Sequence, residues 1–172
     1  MIFFIFTDYK TIYLLVKDAF KTAEHSDGNE HNLIDKLRTS ESYIPELSLL
    51  AEIDEKIVGH IMFTKLFIEN QNGKFESLAL APLAVHPEYQ NIGVGSKLII
   101  EGLHIAKNLG FKSAIVLGSE KYYPKFSFKE ALDFGIKATF EVPSENFMAI
   151  ELEENALKDI HGNVIYTKEF FE

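Results

Sequence analysis

The 172-residue sequence contains no cysteine and no tryptophan, and only five prolines. The absence of cysteine excludes disulfide bonds, thiolate metal sites and a cysteine nucleophile, and it fits a reducing compartment. No apolar run approaches the roughly 20 residues that a membrane-spanning helix needs. The apolar segment 1–6 is too short for a signal peptide and is followed by charged residues at Asp8 and Lys10. We therefore predict a cytoplasmic protein with no membrane partner.

Basic residues are also scarce. The chain has 17 Lys and Arg against 26 Asp and Glu, for a net charge of −9, which argues against nucleic-acid binding through a general basic surface. An acidic surface favours cationic partners such as amines, but it is at least as often a means of keeping a protein soluble. The length and the 47% hydrophobic content predict one globular domain over residues 1–172.

Hydrophobic periodicity predicts an α/β protein. Strands are predicted at 1–6, 47–53, 57–68, 75–85, 113–117 and 147–152, and helices at 9–23, at a short segment ending near residue 40, at 93–108 and at 120–126. Asp8 is a predicted N-cap, Asn70–Gly73 predicts a tight hairpin turn, and Pro82 predicts an edge or a bulge. The order β-α-α-β-β-β-α-β-α-β indicates a mixed sheet and differs from the alternation of a dinucleotide-binding fold.

One segment, 82–96, carries most of the functional information. A strand is predicted to end near Val85, and Gly93 and Gly95 open the clearest helix of the chain. Glycines allow the backbone to approach a ligand closely, and the free amides of a helix N-terminus bind anions such as a diphosphate. A dinucleotide fingerprint would need a third glycine where Leu98 stands, and a P-loop would need Gly-Lys-Ser/Thr. Spacing alone leaves open a loop that needs glycine only for flexibility.

The motif Gln90-x-x-Gly93-x-Gly95 resembles the acetyl-CoA signature of the GNAT (GCN5-related N-acetyltransferase) family, which is Gln/Arg-x-x-Gly-x-Gly/Ala. Segments 81–85 and 162–170 look like the YhbS-type branch of that family. The resemblance implies the GNAT fold, an α/β architecture with a mixed central sheet of about six to seven strands and about four helices. In this fold the sheet is splayed in the middle to hold acetyl-CoA, and Pro82 lies close to the expected bulge.

The resemblance also implies which residues bind the cofactor. Backbone groups of 83–85 would pair with the pantetheine arm, and Gln90 with the amides of 91–96 would hold the diphosphate. Ser119 would touch the pantetheine arm, although a serine at this place more often caps a helix. The predicted cofactor-binding residues are Leu83, Ala84, Val85, Gln90, Asn91, Ile92, Gly93, Val94, Gly95, Ser96 and Ser119.

A second segment, 123–128, resembles the family signature Tyr-x-x-x-Gly-Phe and predicts Tyr123 as the general acid that protonates the leaving thiolate. A phenol with a pKa of about 10 is well matched to a thiol near 8.5. Tyr122 is a rival, and aromatic packing is the alternative role. Ser127 stands where the family usually has glycine, so the local turn is uncertain if a positive φ is required there.

The general base is less well determined. Glu76 is the predicted base, acting on the amine through water, and Glu52 is a second candidate; either carboxylate is more often a solvated strand residue. The six histidines show no metal-ligand spacing, so no metal is predicted.

These residues predict transfer of an acetyl group from acetyl-CoA to a primary amine by direct attack in a ternary complex. The alternative is a catalytically silent acyl-CoA-binding sensor or interaction module. The acceptor, a small molecule or a protein amine, has no recognisable motif, and its walls are predicted at 24–43 and 137–146. The protein is predicted to be a monomer or a homodimer.

Overall fold

The computed structural model describes residues 2–4, 9–21, 23 and 26–172. The predicted N-cap Asp8 and half of the predicted strand 1–6 lie outside the described residues. The chain divides into two compact units, which we call unit 1 and unit 2. Unit 1 comprises Met1–Thr64, Ala81–Gly102 and Glu169–Glu172, and unit 2 comprises Lys65–Leu80 and Leu103–Lys168.

Three α-helices and nine strands are assigned in the described part of the chain. The helices are α1 (Tyr9–Phe20), α2 (Glu30–Arg38) and α3 (Val94–Asn108). The strands are β1 (Ile2–Phe4), β2 (Tyr43–Ile53), β3 (Lys56–Asn70), β4 (Gly73–Val85), β5 (Ser113–Leu117), β6 (Lys129–Glu130), β7 (Ile136–Lys137), β8 (Phe147–Glu151) and β9 (Gly162–Ile165). No helix in the described residues is long and apolar enough to cross a membrane.

Unit 1 is built on neighbouring strands in the order β1-β2-β3-β4. β2 pairs antiparallel with β1 and with β3, where Leu50 lies opposite His60 and Ser48 lies opposite Met62. Opposed residues of an antiparallel pair point to the same face, and α1 and α2 bury their apolar stripes on this face. The core formed there contains Ile12, Val16, Ile34, Leu37, Leu50, Met62 and Ala84.

Unit 2 contains the other halves of β3 and β4. β4 pairs parallel with β5 through Leu78–Ala114 and Ala79–Ile115, and α3 supplies the crossover that a parallel pair requires. The ladder ends at the second pair, while β5 continues to Leu117.

The rest of unit 2 extends the sheet with antiparallel neighbours. β5 pairs with β8 and β8 with β6, while β9 pairs with β3 and runs parallel to β7. Between β4 and β5 the buried hydroxyl oxygens of Ser77 and Ser113 lie 2.7 Å apart. A hydroxyl buried without a partner costs free energy, so this bond satisfies both groups at once.

The α/β class and the mixed sheet are confirmed, with seven strands in the path β1-β2-β3-β4-β5-β8-β6. The helix predicted at 120–126 is wrong as an α-helix, because Pro124 leaves only a 3₁₀ turn over Tyr123–Phe126. The described residues therefore hold three α-helices instead of about four. β4 runs continuously through Pro82, whose peptide bond to Ala81 is cis.

Candidate active site

The loop between β4 and α3 folds as the glycine pattern predicts. A 3₁₀ turn over Pro87–Tyr89 leads into two residues with left-handed backbones, Asn91 at φ 62° and Gly93 at φ 91°. A side chain at Gly93 would be strained by this φ, although a Cβ there would meet nothing within 4 Å. Glycine is therefore needed at this position because of its left-handed backbone. The space beside the loop is open.

The loop presents the N-terminus of α3. The first helical hydrogen bond runs from Lys97 N to Gly93 O at 3.1 Å, so the amides of 94–96 precede the first donor of the helical ladder. The residues on this side are accessible, since Ile92 is 63% exposed. Free N–H groups and the positive end of the helix dipole together suit an anion.

Two hydrogen bonds tie this loop to the strands below it. His86 N donates to Val58 O of β3 at 2.8 Å, and Gln90 Nε2 donates to Val85 O at 3.1 Å. The side chain predicted to hold the diphosphate thus uses one amide donor to close the loop. Its contact with a cofactor stays a prediction.

The predicted cofactor strand, 83–85, forms the end of β4. Ala84 is 2% exposed and belongs to the unit 1 core, whereas Leu83 and Val85 on either side are half-buried. This alternation anchors one face of the strand. Unit 1 therefore brings together 83–85, Gln90 and the amides of 91–96.

Tyr123 lies in unit 2, in an aromatic cluster with Tyr122 and Phe128 at centroid distances of 5.3 and 5.6 Å. Its ring lies against Gly118, where any Cβ would collide with Cε2. Burial, with a smaller contribution from Tyr122, raises the pKa of Tyr123 above its ordinary value. The phenol is therefore fully protonated at neutral pH, although it is a weaker acid than the ordinary pKa implies.

Ser127 occupies the glycine position of the second signature with a left-handed backbone, φ 75° and ψ 15°, and donates from its N–H to Pro124 O at 3.1 Å. A positive φ is thus present at this position without glycine.

Ser119, also in unit 2, is exposed, and its Oγ accepts from Lys121 N at 3.2 Å. The contact stabilises a turn and not the helix N-terminus that a serine at this place was expected to cap, because the described residues have no α-helix there.

Glu76 lies near the start of β4 in unit 2 and forms an ion pair with Lys65, with 3.8 Å between Oε2 and Nζ and side chains 46% and 40% exposed. Ion pairs this exposed are weak, so the carboxylate is available to solvent. Glu52, the second candidate base, is the last residue but one of β2 in unit 1 and pairs in register with Ile57. Unit 2 also contains a cavity of about 170 Å³ lined by Leu132, Ile136, Lys137, Ala138, Phe140, Val142, Ser144 and Phe147. Five of these residues belong to the segment 137–146, which is predicted as an acceptor wall.

Sequence reasoning missed four buried polar side chains in unit 1, namely Ser48 on β2, His60 and Thr64 on β3, and Arg38 at the end of α2. Ser48, His60 and Thr64 are fully buried, and the Arg38 side chain is 7% exposed. The available signal was a histidine and a threonine within the apolar run of β3. Among the described residues, no group of His, Asp or Glu is placed to hold a metal ion.

The sequence profile of the family described as Acetyltransferase (GNAT) family matches residues 9–128, well over half of the chain. The chain belongs to the GNAT family. Among GNAT relatives, the uncharacterized N-acetyltransferase YjhQ of Escherichia coli K12 is 41% identical over 118 residues, or 68% of this chain and 65% of that relative. The match thus spans just under two thirds of YjhQ. The uncharacterized N-acetyltransferase YhbS of the same strain is 26% identical over 89% of this chain and 90% of its own.

Solved GNAT structures confirm the fold. Escherichia coli YhbS in complex with CoA matches with a TM-score of 0.89 at 24% identity, over 100% of this chain and 92% of that chain. A GNAT family acetyltransferase from Brucella melitensis in complex with acetyl-CoA matches with a TM-score of 0.80 at 27% identity, over 99% and 97%. The predicted resemblance to the YhbS-type branch is therefore also confirmed.

Proposed function

We propose that this GNAT protein transfers an acetyl group from acetyl-CoA to a primary amine. The observation that carries the proposal is the accessible N-terminus of α3, where Gly93 adopts a glycine-type backbone and the amides of 94–96 lie free of the helical ladder. Solved relatives hold CoA or acetyl-CoA. The anionic diphosphate of that molecule is the ligand that these donors suit.

Three groups of residues would bind acetyl-CoA. The amides of 91–96 and Gln90 would hold the diphosphate, and backbone groups of 83–85 would pair with the pantetheine arm, as an added strand pairs with a sheet edge. Ser119 would contact the arm through the hydroxyl that now caps its turn.

Bound acetyl-CoA supplies an activated acyl group. The residues of the chain transfer protons and hold the amine in position. In direct attack the amine nitrogen bonds to the thioester carbon, the C–S bond breaks, and the amine loses one proton while the thiolate gains one. Glu76 is proposed to accept the amine proton through water, and Tyr123 to donate the proton to sulfur. Holding the amine in place removes much of the entropic barrier.

The alternative, a silent acyl-CoA-binding module, rested on Ser127 replacing glycine in the second signature. Because Ser127 adopts φ 75°, this replacement leaves the turn in the conformation that glycine would take. No other feature of the described residues favours the alternative.

A matched pair of glycine variants tests the proposal. Gly93 (φ 91°) and Gly110 (φ 92°) flank α3 with the same backbone strain for any side chain, and neither would bring a Cβ within 4 Å of other atoms. We expect Gly93→Ala to weaken acetyl-CoA binding about tenfold or more in calorimetry, because the strained residue distorts the amide array. Gly110→Ala should cost similar stability and leave the affinity unchanged.

Release of free CoA thiol across an amine panel then separates the two functions. Acetyl-CoA binding with turnover of at least one amine supports the enzyme, and binding without turnover of any amine supports the silent module. A folded protein with no affinity for acetyl-CoA at millimolar concentration contradicts both.

A further inference from the structure

The cavity of unit 2 has a largely apolar lining. Six of its eight lining residues are apolar, and they extend from Leu132, which is 50% exposed, to Phe147, which is 3% exposed. A ligand can therefore reach the cavity from solvent and contact a buried strand residue. The volume of about 170 Å³ is slightly larger than that of an engineered cavity of about 150 Å³, lined by Leu, Ile and Phe, which binds benzene. The cavity thus has room for a group the size of a benzene ring.

Aromatic packing shapes this cavity. The Phe140 ring lies edge-on to that of Phe147, with 6.3 Å between their centroids and an interplanar angle of 77°, and its centroid is 6.0 Å from that of Tyr166. Aromatic contacts at these distances are favourable, so two neighbouring rings hold Phe140 in place at the wall of the cavity. An entering aromatic or branched aliphatic group would gain further contacts of the same kind.

The polar lining residues are Lys137, which is exposed, and Ser144. The lining lies wholly within the described part of the chain and contains no carboxylate. The ammonium of Lys137 would repel a second cation brought into the cavity, and Ser144 is uncharged and cannot neutralise one. The cavity therefore suits the apolar end of an amine, while the protonated amino group stays outside it.

Printed contacts of the backbone connect the cavity to the proposed general acid within unit 2. Phe147 lies opposite Leu117 in the pairing of β5 with β8. The pairing continues by one residue, where Gly118 N donates to Asn146 O at 2.9 Å and Asn146 Nδ2 donates to Gly118 O at 3.0 Å. The ring of Tyr123 lies against this same Gly118. The cavity and the phenol therefore both adjoin the end of β5.

The cavity and the phenol lie on opposite faces of this strand end. Opposed residues of an antiparallel pair point to one face, and successive residues of a strand point to opposite faces. Phe147 thus shares its face with Leu117, whereas Tyr123 covers the face to which a Cβ of Gly118 would point. An amine held in the cavity would approach the end of β5 from the side opposite the acid. The nucleophile and the proton donor then do not compete for the same space.

We propose that the acceptor is a primary amine with an apolar substituent the size of a benzene ring, and that this substituent binds in the cavity of unit 2. This inference rests on the proposed acetyl transfer. The apolar group fills the cavity, and the amino group points out of it toward the end of β5. There the nitrogen gains the acetyl group and loses a proton, the C–S bond breaks, and CoA leaves as the thiol.

The test is a linker series in the CoA-release assay. Phenylalkylamines from benzylamine to 4-phenylbutylamine are compared with the n-alkylamines that have the same linker, and with diamines of similar length. We expect one phenylalkylamine to exceed its alkylamine at least about tenfold in kcat/KM, mainly through KM, because each buried methylene-sized group contributes about fourfold. Equal values for the phenylalkylamines and the alkylamines, or higher values for the diamines, would overturn the proposal.

Ala138→Leu places a larger side chain in the lining of the cavity. The preference for phenylalkylamines should fall at least about fourfold, the contribution of one buried methylene, and a preserved preference would contradict the assignment. Ala156→Leu is the matched control, since it is the same substitution at another half-buried alanine of unit 2 that does not line the cavity. This variant should retain the preference.

A second measurement separates this inference from the proposed function. The methyl resonances of Ala138 and Val142 in the wild-type protein are followed by NMR during titration with 2-phenylethanol, and with ethanol as the control, in the absence of acetyl-CoA. Shifts with 2-phenylethanol alone support the cavity site even if no amine is turned over, in which case acetyl transfer fails by itself. Turnover of amines without such shifts overturns the site and leaves acetyl transfer standing. Shifts that follow the protein concentration instead show that a second copy of the chain covers the cavity, and they also overturn the proposal.

Discussion

At the scale of single residues, the environment of Tyr123 favours a proton donor over a nucleophile or base. Its buried ring lies against Gly118 and Phe128, and burial raises the pKa of the phenol. The phenol is thus always protonated at neutral pH. Its raised pKa lies further from that of a thiol than an ordinary phenol pKa does, so proton transfer to the thiolate is less well matched. Its contribution to the rate depends on the position of the hydroxyl.

Tyr123→Phe tests this contribution. The ring and its packing are kept, so acetyl-CoA affinity and stability should change little. Turnover should fall about 100-fold, the lower range for loss of a general acid, as measured by CoA release under saturating acetyl-CoA. The matched variant Tyr122→Phe in the same cluster should keep most of the rate, and an undiminished rate in Tyr123→Phe removes that residue from the acid role.

Ser127 provides a test of backbone strain. A non-glycine residue at φ 75° costs about 1–2 kcal/mol, while glycine loses about 0.4–1 kcal/mol through the entropy of the unfolded chain. The strain that glycine removes therefore exceeds the entropy that it costs. Ser127→Gly should raise the free energy of unfolding by about 0.5–1 kcal/mol in urea titrations. Ser127→Ala keeps the strain and should give no such gain. A destabilised Ser127→Gly would contradict this account.

At the scale of elements, the position of the α3 N-terminus depends on a close approach to β3. A Cβ on Gly59 would lie 2.8 Å from Val94 Cγ1 and 2.9 Å from Leu98 Cδ1. The helix can therefore pack this closely only because that strand residue is glycine. The first turn of α3 is also the part that is proposed to hold the diphosphate.

Gly59→Ala should move this turn away from the sheet. We expect a loss of about 1–3 kcal/mol in unfolding free energy from overpacking, together with weaker acetyl-CoA binding in calorimetry. Gly102→Ala is the control, since its Cβ would collide with Phe63 two turns further along the same helix. That variant should lose stability with little change in affinity; equal affinity losses would show that general destabilisation is responsible.

Long elements with clear periodicity were predictable from sequence, and short ones were not. α3 and the strands β2 to β5 follow apolar patterns and turn residues, and the left-handed Gly93 follows from the motif. β6 and β7 have two residues each, too few to show any period, and they form only because partner strands offer hydrogen bonds. The burial of Arg38 and His60 was missed because it results from tertiary packing, which leaves no periodic pattern in the sequence.

At the scale of the whole molecule, stability should depend on pH through His60. Burial lowers its pKa to about 3 in the folded protein, against about 6.5 in an unfolded chain. Between these values the unfolded state binds a proton that the folded state does not. The stabilisation from a neutral His60 is therefore present above pH 6.5 and is lost as the pH falls toward 3.

Urea unfolding between pH 7 and pH 4 measures this loss. The wild-type protein should lose up to about 1.4 kcal/mol per pH unit below 6.5 from this group. In His60→Gln the slope should be visibly smaller, whereas His104→Gln, on the exposed side of α3, should follow the wild type. Identical slopes for His60→Gln and wild type would rule out a buried neutral imidazole.

The serine pair between β4 and β5 has a consequence for how the sequence can vary. Ser77 and Ser113 are hydrogen-bonded to each other in a buried position. Loss of either hydroxyl would leave the other without a partner and lower the free energy of unfolding by about 1–3 kcal/mol. Replacing both with alanine removes donor and acceptor together and is far milder. In descendants of this chain, substitutions at the two positions should therefore occur together, because a single substitution at either one lowers the stability of the fold.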